Sequence, residues 1–205
     1  MTVRTTMRMT TMAALISESS MKQVLMLRQT DSKTCSLLVK GGQTHEIGQS
    51  AEALLATWCL ACGSSLQGRR DWVRHHFGAV EKIPILISER TQLLYFPIYG
   101  MRSNDAIWLC ANELMEVSAA ENGQCAVWFR DGTKAVVPCS DRVIKKQRRR
   151  CRKILDFLNG VQEHYSDAGS LLEQIQGGWK KAGCIEEERR EMTKWTAESD
   201  NIQRS

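Results

Sequence analysis

Eight cationic side chains crowd one short stretch of the sequence, and the chemistry they could do is to bind a polyanion. They are Arg142, Lys145, Lys146, Arg148, Arg149, Arg150, Arg152 and Lys153. No acid stands between Asp141 and Asp156, whereas a solvated helix face normally mixes both signs and gains ~0.2–0.5 kcal/mol per pair. Cations in the first turns also oppose the helix dipole. We therefore expect an anionic ligand, nucleic acid rather than a membrane, to offset this cost.

An amphipathic helix is the element that would position these cations. At about 100° per residue, one sector of roughly 120° collects Gln147 and six apolar residues. The six are Val143, Ile144, Cys151, Ile154, Leu155 and Leu158. Ser140 or Asp141 would cap the N-terminus. The pattern predicts a helix over residues 140–159 that packs its apolar stripe on a core and turns its cations outward.

A second set of donors lies in the segment GSSLQGRRDWVR. It brings together Ser64, Ser65, Arg69, Arg70 and Arg74. Small residues let a backbone approach a phosphate closely, and hydroxyls and guanidiniums donate hydrogen bonds to it. Gly and Ser are also common in ordinary turns, so this pattern is less specific than the cationic helix.

Composition divides the chain of 205 residues into a basic body and an acidic end. The formal net charge is +5, but residues 160–205 hold six Lys/Arg against nine Asp/Glu. The basic body is the part expected to meet polyanions. We predict a flexible arm over residues 1–21, one domain over residues 22–159, and a loosely ordered, partly helical acidic tail over residues 160–205.

The apolar runs predict an α+β fold. The segments KQVLML, TCSLLV, KIPILIS, QLLYFPIY and AIWLC have the bias of short strands, and AEALLATWCLAC, preceded by Ser50, is typical of a helix. Asp131-Gly132 between two apolar runs indicates a β-hairpin. We expect a small mixed or antiparallel sheet with flanking helices and the C-terminal basic helix. No internal repeat is evident.

Cys59-x-x-Cys62 is the one spacing that could indicate metal or redox chemistry. A zinc finger would need a second ligand pair three to five residues apart, which the adjacent His75 and His76 do not supply. A thioredoxin-type pair would open a helix, whereas this pair falls inside a helical pattern. We therefore expect core packing, with no metal and no cofactor.

Enzymatic and membrane classes lack their usual signals. No paired-carboxylate, nucleophile-elbow or phosphate-loop motif is present, and no apolar run approaches the roughly 20 residues that span a bilayer. Trp72, Trp108 and Trp128 could stack on bases, although apolar neighbours favour core positions for all three. We expect a binding protein without catalytic residues.

Several spaced motifs resemble the competence transcription factor family, ComK. They are the Gly-Ser-Ser-x-x-Gly-Arg string from Gly63 to Arg69, the Phe96-Pro97 dipeptide, Ser103, Trp108 and the Asp131-Gly132 hairpin that leads into the basic helix. The resemblance extends from about Lys22 to Asn159. The N-terminal arm and the acidic tail lie outside it.

This resemblance implies a bacterial activator of DNA-uptake genes, cytoplasmic and associated with the nucleoid. Members of the family bind paired A·T-rich promoter boxes through the minor groove as homo-oligomers, with RNA polymerase and a Clp-protease adaptor as protein partners. Small residues and hydroxyls between Ser64 and Arg74 permit close approach to a groove, so Arg69 or Arg70 would read the minor groove. The basic helix, with its broad face of long cations, would hold phosphates, and Arg102 is a further candidate. The alternative is a non-catalytic protein-interaction module whose basic face docks an acidic protein.

Overall fold

The computed structural model describes residues 17–78, 81–99 and 106–160, together with the backbone of a short strand at residues 5–6. The strands are β1 (Thr5–Thr6), β2 (Val24–Gln29), β3 (Cys35–Val39), β4 (Thr44–Ile47), β5 (Ile85–Ser88), β6 (Leu93–Pro97), β7 (Ile107–Cys110), β8 (Leu114–Ala119), β9 (Cys125–Phe129) and β10 (Lys134–Val137). The helices are α1 (Glu18–Met21), α2 (Ala51–Ala61), α3 (Leu66–Phe77) and α4 (residues 141–160), with a 3-10 turn at Glu121–Gly123.

Two sheets form the scaffold. The first has the strand order β1-β4-β3-β2-β7-β6-β5, and the second has the order β10-β9-β8. Neighbouring strands are antiparallel except for β1 and β4, which run parallel. The predicted α+β class, with flanking helices and a C-terminal helix, is confirmed. Strands β4 and β8 and helix α3 were not predicted from the sequence.

The chain divides into two units, Met1–Leu158 and Asn159–Ser205. Helix α1 lies ahead of the predicted domain start at residue 22: Ser17 caps it, and Met21 is fully buried. Tyr95 donates hydrogen bonds from its hydroxyl to the backbone oxygens of Met21 and Val24, at 2.9 and 2.7 Å. The acidic tail, from residue 161 onward, and most of the N-terminal arm lie outside the described residues.

An internal repeat, which the sequence did not reveal, organises the described fold. The unit β2-β3-β4-α2 recurs as β8-β9-β10-α4 at a constant spacing of 90 residues, as from Val24 to Leu114 and from Cys35 to Cys125. The three strands of one unit have the same lengths as those of the other. The expectation of no internal repeat was therefore wrong.

The hydrogen-bonded register repeats as well. Cys35 pairs with Ile47 in the first unit, and Cys125 pairs with Val137 in the second. Each unit also has an irregularity near the start of its first strand, between Val24 and Met26 or between Leu114 and Glu116. The turns match too, since Gly42 and Gly132 both adopt a left-handed φ, +78° and +84°, which glycine reaches without steric cost.

Two apolar clusters pack on opposite faces of the first sheet. One lies under α2 and includes Leu54, Leu55, Trp58, Tyr95 and Trp108. The other lies between the first sheet, the second sheet and α4, and includes Phe96, Leu109, Val127, Phe129 and Ile144. Helix α4 is thus held by a core that both sheets build, and this fixes which of its faces turns outward.

Candidate nucleic-acid interface

Helix α4 buries the stripe that its periodicity predicts. Ile144, Gln147, Cys151, Ile154 and Leu158 are all buried, and Val143 and Leu155 pack half-buried against the same cluster. The helix begins after Ser140, whose carbonyl oxygen accepts a hydrogen bond from the amide of Val143 at 3.0 Å. The predicted amphipathic helix is confirmed, including its one polar core residue.

Gln147 ties α4 to the rest of the fold. It is 2% exposed, and its side-chain amide nitrogen donates to the backbone oxygens of Lys82 and Pro97, both at 2.8 Å. Those carbonyls come from the segment before β5 and from the end of β6. A buried polar side chain is tolerated because its donors are satisfied, and here it sets the position of the helix.

The cations of α4 line its opposite face. Those that are exposed are Arg142, Lys145, Lys146, Arg148, Arg149, Arg152 and Lys153. Arg150 is half-buried and donates to the backbone oxygen of Glu81 at 2.9 Å. Within the described part of the chain, Lys145 is the one member of this face with an ion pair, to Asp141 at 2.7 Å. The face therefore carries a large uncompensated positive charge.

A groove runs between α3 and α4. It has a volume of about 870 Å³, and its lining combines Val73, His76, Phe77, Gly78, Pro84, Lys146, Arg149, Arg150, Lys153 and Ile154. Four of these residues are cations and none is acidic. A concave surface lined by one sign of charge on apolar walls concentrates its field on an anion that enters it.

Aromatic rings close the groove where the C-terminal ends of α3 and α4 meet. The ring of Phe157 on α4 lies 6.0 Å from Trp72, 5.7 Å from Phe77 and 5.1 Å from His76, measured between centroids. His76 is fixed in turn, since its Nδ1 is 3.0 Å from the carbonyl oxygen of Trp72. Trp72 and Phe157 were not predicted as site residues. The signal that could have identified Phe157 is its position just after the basic run of α4.

The Gly-Ser-Ser-x-x-Gly-Arg string forms the turn between α2 and α3. Gly63 adopts a left-handed φ of +79°, and the hydroxyl of Ser65 caps α3 by accepting a hydrogen bond from the amide of Gly68 at 2.9 Å. A Cβ at Gly68 would lie 3.1 Å from that hydroxyl. The spacing in this string therefore has a structural cause, because Ser65 caps the start of α3. Ser64, next to it, is half-buried.

The arginines of this segment are all engaged by acids. Arg69 is 7% exposed and pairs with Glu89. Arg70 pairs with Glu52 at 2.7 Å, and burial lowers the pKa of its guanidinium. The structure thus separates the two groups of predicted DNA-binding residues: the cations of α4 face outward, whereas Arg69 lies inside the fold.

Arg74, the third arginine of this segment, pairs with Asp71 at 2.8 Å on the exposed face of α3. Of the predicted site residues, Arg102 lies outside the described residues. The three tryptophans for which the sequence favoured core positions over base stacking differ in burial. Trp108 is buried in the core, Trp72 and Trp128 are half-buried, and the ammonium of Lys134 lies 4.9 Å from the ring centre of Trp128.

Cys59 and Cys62 lie at the C-terminal end of α2. Burial raises the pKa of the Cys59 thiol to about 11, and burial also raises that of Cys62, whose Sγ is 3.8 Å from Glu18 Oε1. Both thiols are therefore protonated and weakly nucleophilic at neutral pH. Among the described residues, no three His, Cys, Asp or Glu side chains are grouped as metal ligands.

No helix among the residues that the structure describes is long and apolar enough to cross a membrane. No curated protein and no solved structure matches the chain. A family model described as ComK protein matches residues 12–160, which is most of the chain. The chain therefore belongs to the ComK family of competence transcription factors.

Proposed function

We propose that this protein activates transcription by binding double-stranded DNA through α4. The observation that carries the proposal is the charge of that helix. Seven of its cations are exposed on the face opposite a packed apolar stripe. In the described part of the chain, only Lys145 among them forms an ion pair. Phosphate contacts supply most of the affinity of such a surface. Family membership supports the transcriptional role.

The arrangement of the cations supports a helix that follows the DNA backbone. At about 100° per residue, Lys145, Arg148 and Arg152 form one row, and Lys146, Arg149 and Lys153 form a second row beside the groove. An α-helix is about 10–12 Å wide, whereas the minor groove is about 6 Å wide. The helix would therefore lie over the groove, with its long side chains reaching phosphates on both sides.

Preference for A·T-rich boxes would then come from the arginines of α4. A·T-rich DNA has a narrow minor groove with a strong negative potential, which attracts inserted arginines. Arg148 and Arg152 are exposed and long enough to enter it. We assign groove reading to these residues in place of Arg69, because Arg69 would have to leave both its buried position and Glu89.

Helices α2 and α4 follow the three strands of their units at the same place in the chain, yet they bury different positions. Leu55, Trp58 and Cys59 are buried in α2, whereas the equivalent Lys145, Arg148 and Arg149 are exposed in α4. These positions therefore face outward in the second unit, where cations occupy them, which supports a role for the cations in binding a ligand.

The remaining partners are proposed from a sheet edge and from family membership. Strand β8 is at the edge of the second sheet, and its equivalent β2 pairs with β7, which supports β8 as the edge through which a homo-oligomer forms on DNA. Family membership supports RNA polymerase and a Clp-protease adaptor as protein partners, and a cytoplasmic location at the nucleoid in a bacterium, with DNA-uptake genes as the output.

The test is a fluorescence anisotropy titration of A·T-rich and G·C-rich duplexes at several salt concentrations. If about four cations reach phosphates per subunit, log affinity falls against log salt with a slope of about −3.6. The A·T-rich duplex is expected to bind more tightly. A slope shallower than about −1 would rule out this face as a DNA-binding surface.

The alternative function is a protein-interaction module in which the same cations dock an acidic protein. The groove beside α3, with four cations and no acid in its lining, is the observation that favours it. An acidic polypeptide added as competitor separates the two functions. Displacement by the polypeptide at a lower charge concentration than by duplex DNA would favour the protein partner.

A further inference from the structure

Phe157 ends the row of cations that faces the groove. It follows Lys146, Arg149 and Lys153 at intervals of three and four residues, so all four share one face of α4. The Cα of Phe157 lies about 6 Å beyond that of Lys153 along the helix axis, and the residue is 39% exposed. An anionic polymer that follows these cations along α4 therefore meets an apolar ring at the end of the row.

The ring is held in place from beneath. Trp72, Phe77 and His76 surround its inner side at centroid distances of 5.1 to 6.0 Å. Ile154 and Leu158, on either side of it in the sequence, are buried in the core. A ring already fixed in this way loses little conformational entropy when it inserts into a ligand.

The part of α4 that carries Phe157 is an addition to the repeated unit. Helix α2 ends at Ala61, which corresponds to Cys151, whereas α4 continues nine residues further, to residue 160. The first unit folds without such an extension. Ile154 and Leu158 anchor the extension to the core, and its exposed residues are Arg152, Lys153, Asp156, Phe157 and Asn159.

We propose that Phe157 is a wedge that inserts between the base pairs of a flexible T–A step in the duplex held by α4. The proposal rests on the DNA binding proposed above. Proteins that bind A·T-rich DNA from the minor-groove side frequently insert Phe or Leu between base steps, which unstacks the step and kinks the duplex. Pyrimidine–purine steps such as T–A unstack most easily, so the wedge would add to the preference for A·T-rich sites.

The experiment measures binding, bending and unstacking with the full chain. The duplex carries a fluorescent adenine analogue at a central T–A step, and a donor and an acceptor dye at its two ends. Wild-type protein is expected to raise the analogue fluorescence and to shorten the distance between the ends. Phe157→Ala loses both changes and binds roughly tenfold more weakly, as expected when one base–aromatic stacking contact is removed.

The matched control is Leu60→Ala. Leu60 is also an exposed apolar residue, 67% exposed on α2, and α2 is the helix that lacks the cationic face. This variant is expected to bind and bend the duplex like wild type. A duplex with a mismatch at the central step provides a second measurement. Phe157→Ala should regain part of its lost affinity on it, because a mismatched step is already partly unstacked.

The outcomes separate the wedge from DNA binding itself. A Phe157→Ala protein that bends and unstacks the duplex like wild type overturns the wedge. A wild-type protein that binds the duplex without bending or unstacking it also overturns the wedge, and this result does not depend on the stability of the variant. Both results leave the proposed DNA binding intact. Tighter binding to single strands than to duplex also overturns the wedge. A wild-type protein that binds no duplex at all overturns the proposed function as well.

Discussion

The guanidinium of Arg69, on α3, forms an ion pair with the carboxylate of Glu89, in the turn after β5. The arginine is buried, whereas the glutamate is largely exposed. This pair joins α3 to the edge of the first sheet and withdraws from the surface a residue that the sequence assigns to groove reading.

Arg69→Ala is therefore expected to lower stability rather than specificity. The change leaves Glu89 without its partner and opens space under α3, so the free energy of unfolding should fall by about 1–3 kcal/mol. Urea unfolding measures this. Arg74→Ala, which removes an exposed arginine from the same helix, should change stability by less than about 0.5 kcal/mol. A stable Arg69→Ala protein that has lost its A·T preference would restore the groove-reading assignment.

Arg149→Ala is expected to weaken binding to every duplex. The side chain is exposed beside the groove, and the loss of one phosphate contact should flatten the salt slope by about one unit. Competition titrations with duplexes of matched length measure both effects. Lys33→Ala, which removes one charge from an exposed turn, should leave the slope unchanged. Equal effects of the two substitutions would mean that net charge, not α4, governs binding.

Gln147→Leu should destabilise the domain although leucine suits an apolar core. The backbone oxygens of Lys82 and Pro97 would lose their donor, at a cost of about 1–3 kcal/mol. Thermal unfolding followed by circular dichroism measures the loss. The salt slope of DNA binding should not change, because the cations remain on α4. An unchanged or raised melting temperature would show that water replaces the amide.

Buried thiols make the fold sensitive to alkali. The pKa of Cys59 is raised to about 11 by burial, so above the unfolded-state value of about 8.5 the unfolded chain binds fewer protons than the folded one. The contribution of this thiol to the free energy of unfolding is therefore fully present below that pH, and it is lost as the pH rises toward about 11. Chemical unfolding between neutral pH and pH 10 should show this fall, and Cys59→Ala should reduce its slope.

A double substitution of Cys59 and Cys62 tests whether these residues are structural. Replacing both by Ala should lower the free energy of unfolding by about 1–2 kcal/mol through lost packing and leave DNA binding intact. Stoichiometric zinc in the purified protein, lost together with DNA binding in the double variant, would contradict it.

Met115→Lys should weaken a homo-oligomer that forms along β8. Met115 is 53% exposed on this edge strand, and a lysine on a sheet edge disfavours pairing with another strand. Sedimentation of the protein–DNA complex measures the number of subunits bound. Leu60→Lys places the same charge on exposed α2 and is expected to have no effect. Unchanged stoichiometry in Met115→Lys would place the subunit contact elsewhere.

Local patterns were sufficient to predict the elements that carry the site. The buried stripe of α4 follows from helical periodicity, and the β9–β10 hairpin follows from Asp131-Gly132, because both depend on residues close together in the chain. Ser50 caps α2 as predicted, accepting a hydrogen bond from the amide of Ala53 at 3.2 Å. The direction of the cations followed from the same periodicity, since the apolar stripe could face only the core.

Tertiary structure decided the features that depend on distant residues. The repeat escaped detection because the two units share strand lengths, turn conformation and register, whereas residue types and burial differ at many equivalent positions: Trp58 is buried in α2 and Arg148 is exposed in α4. Arg69 and Arg149 are both arginines in basic segments. Only the packing of α3 against β5 brings Glu89 to Arg69 and leaves Arg149 facing outward, because burial and charge pairing depend on which elements become neighbours in space.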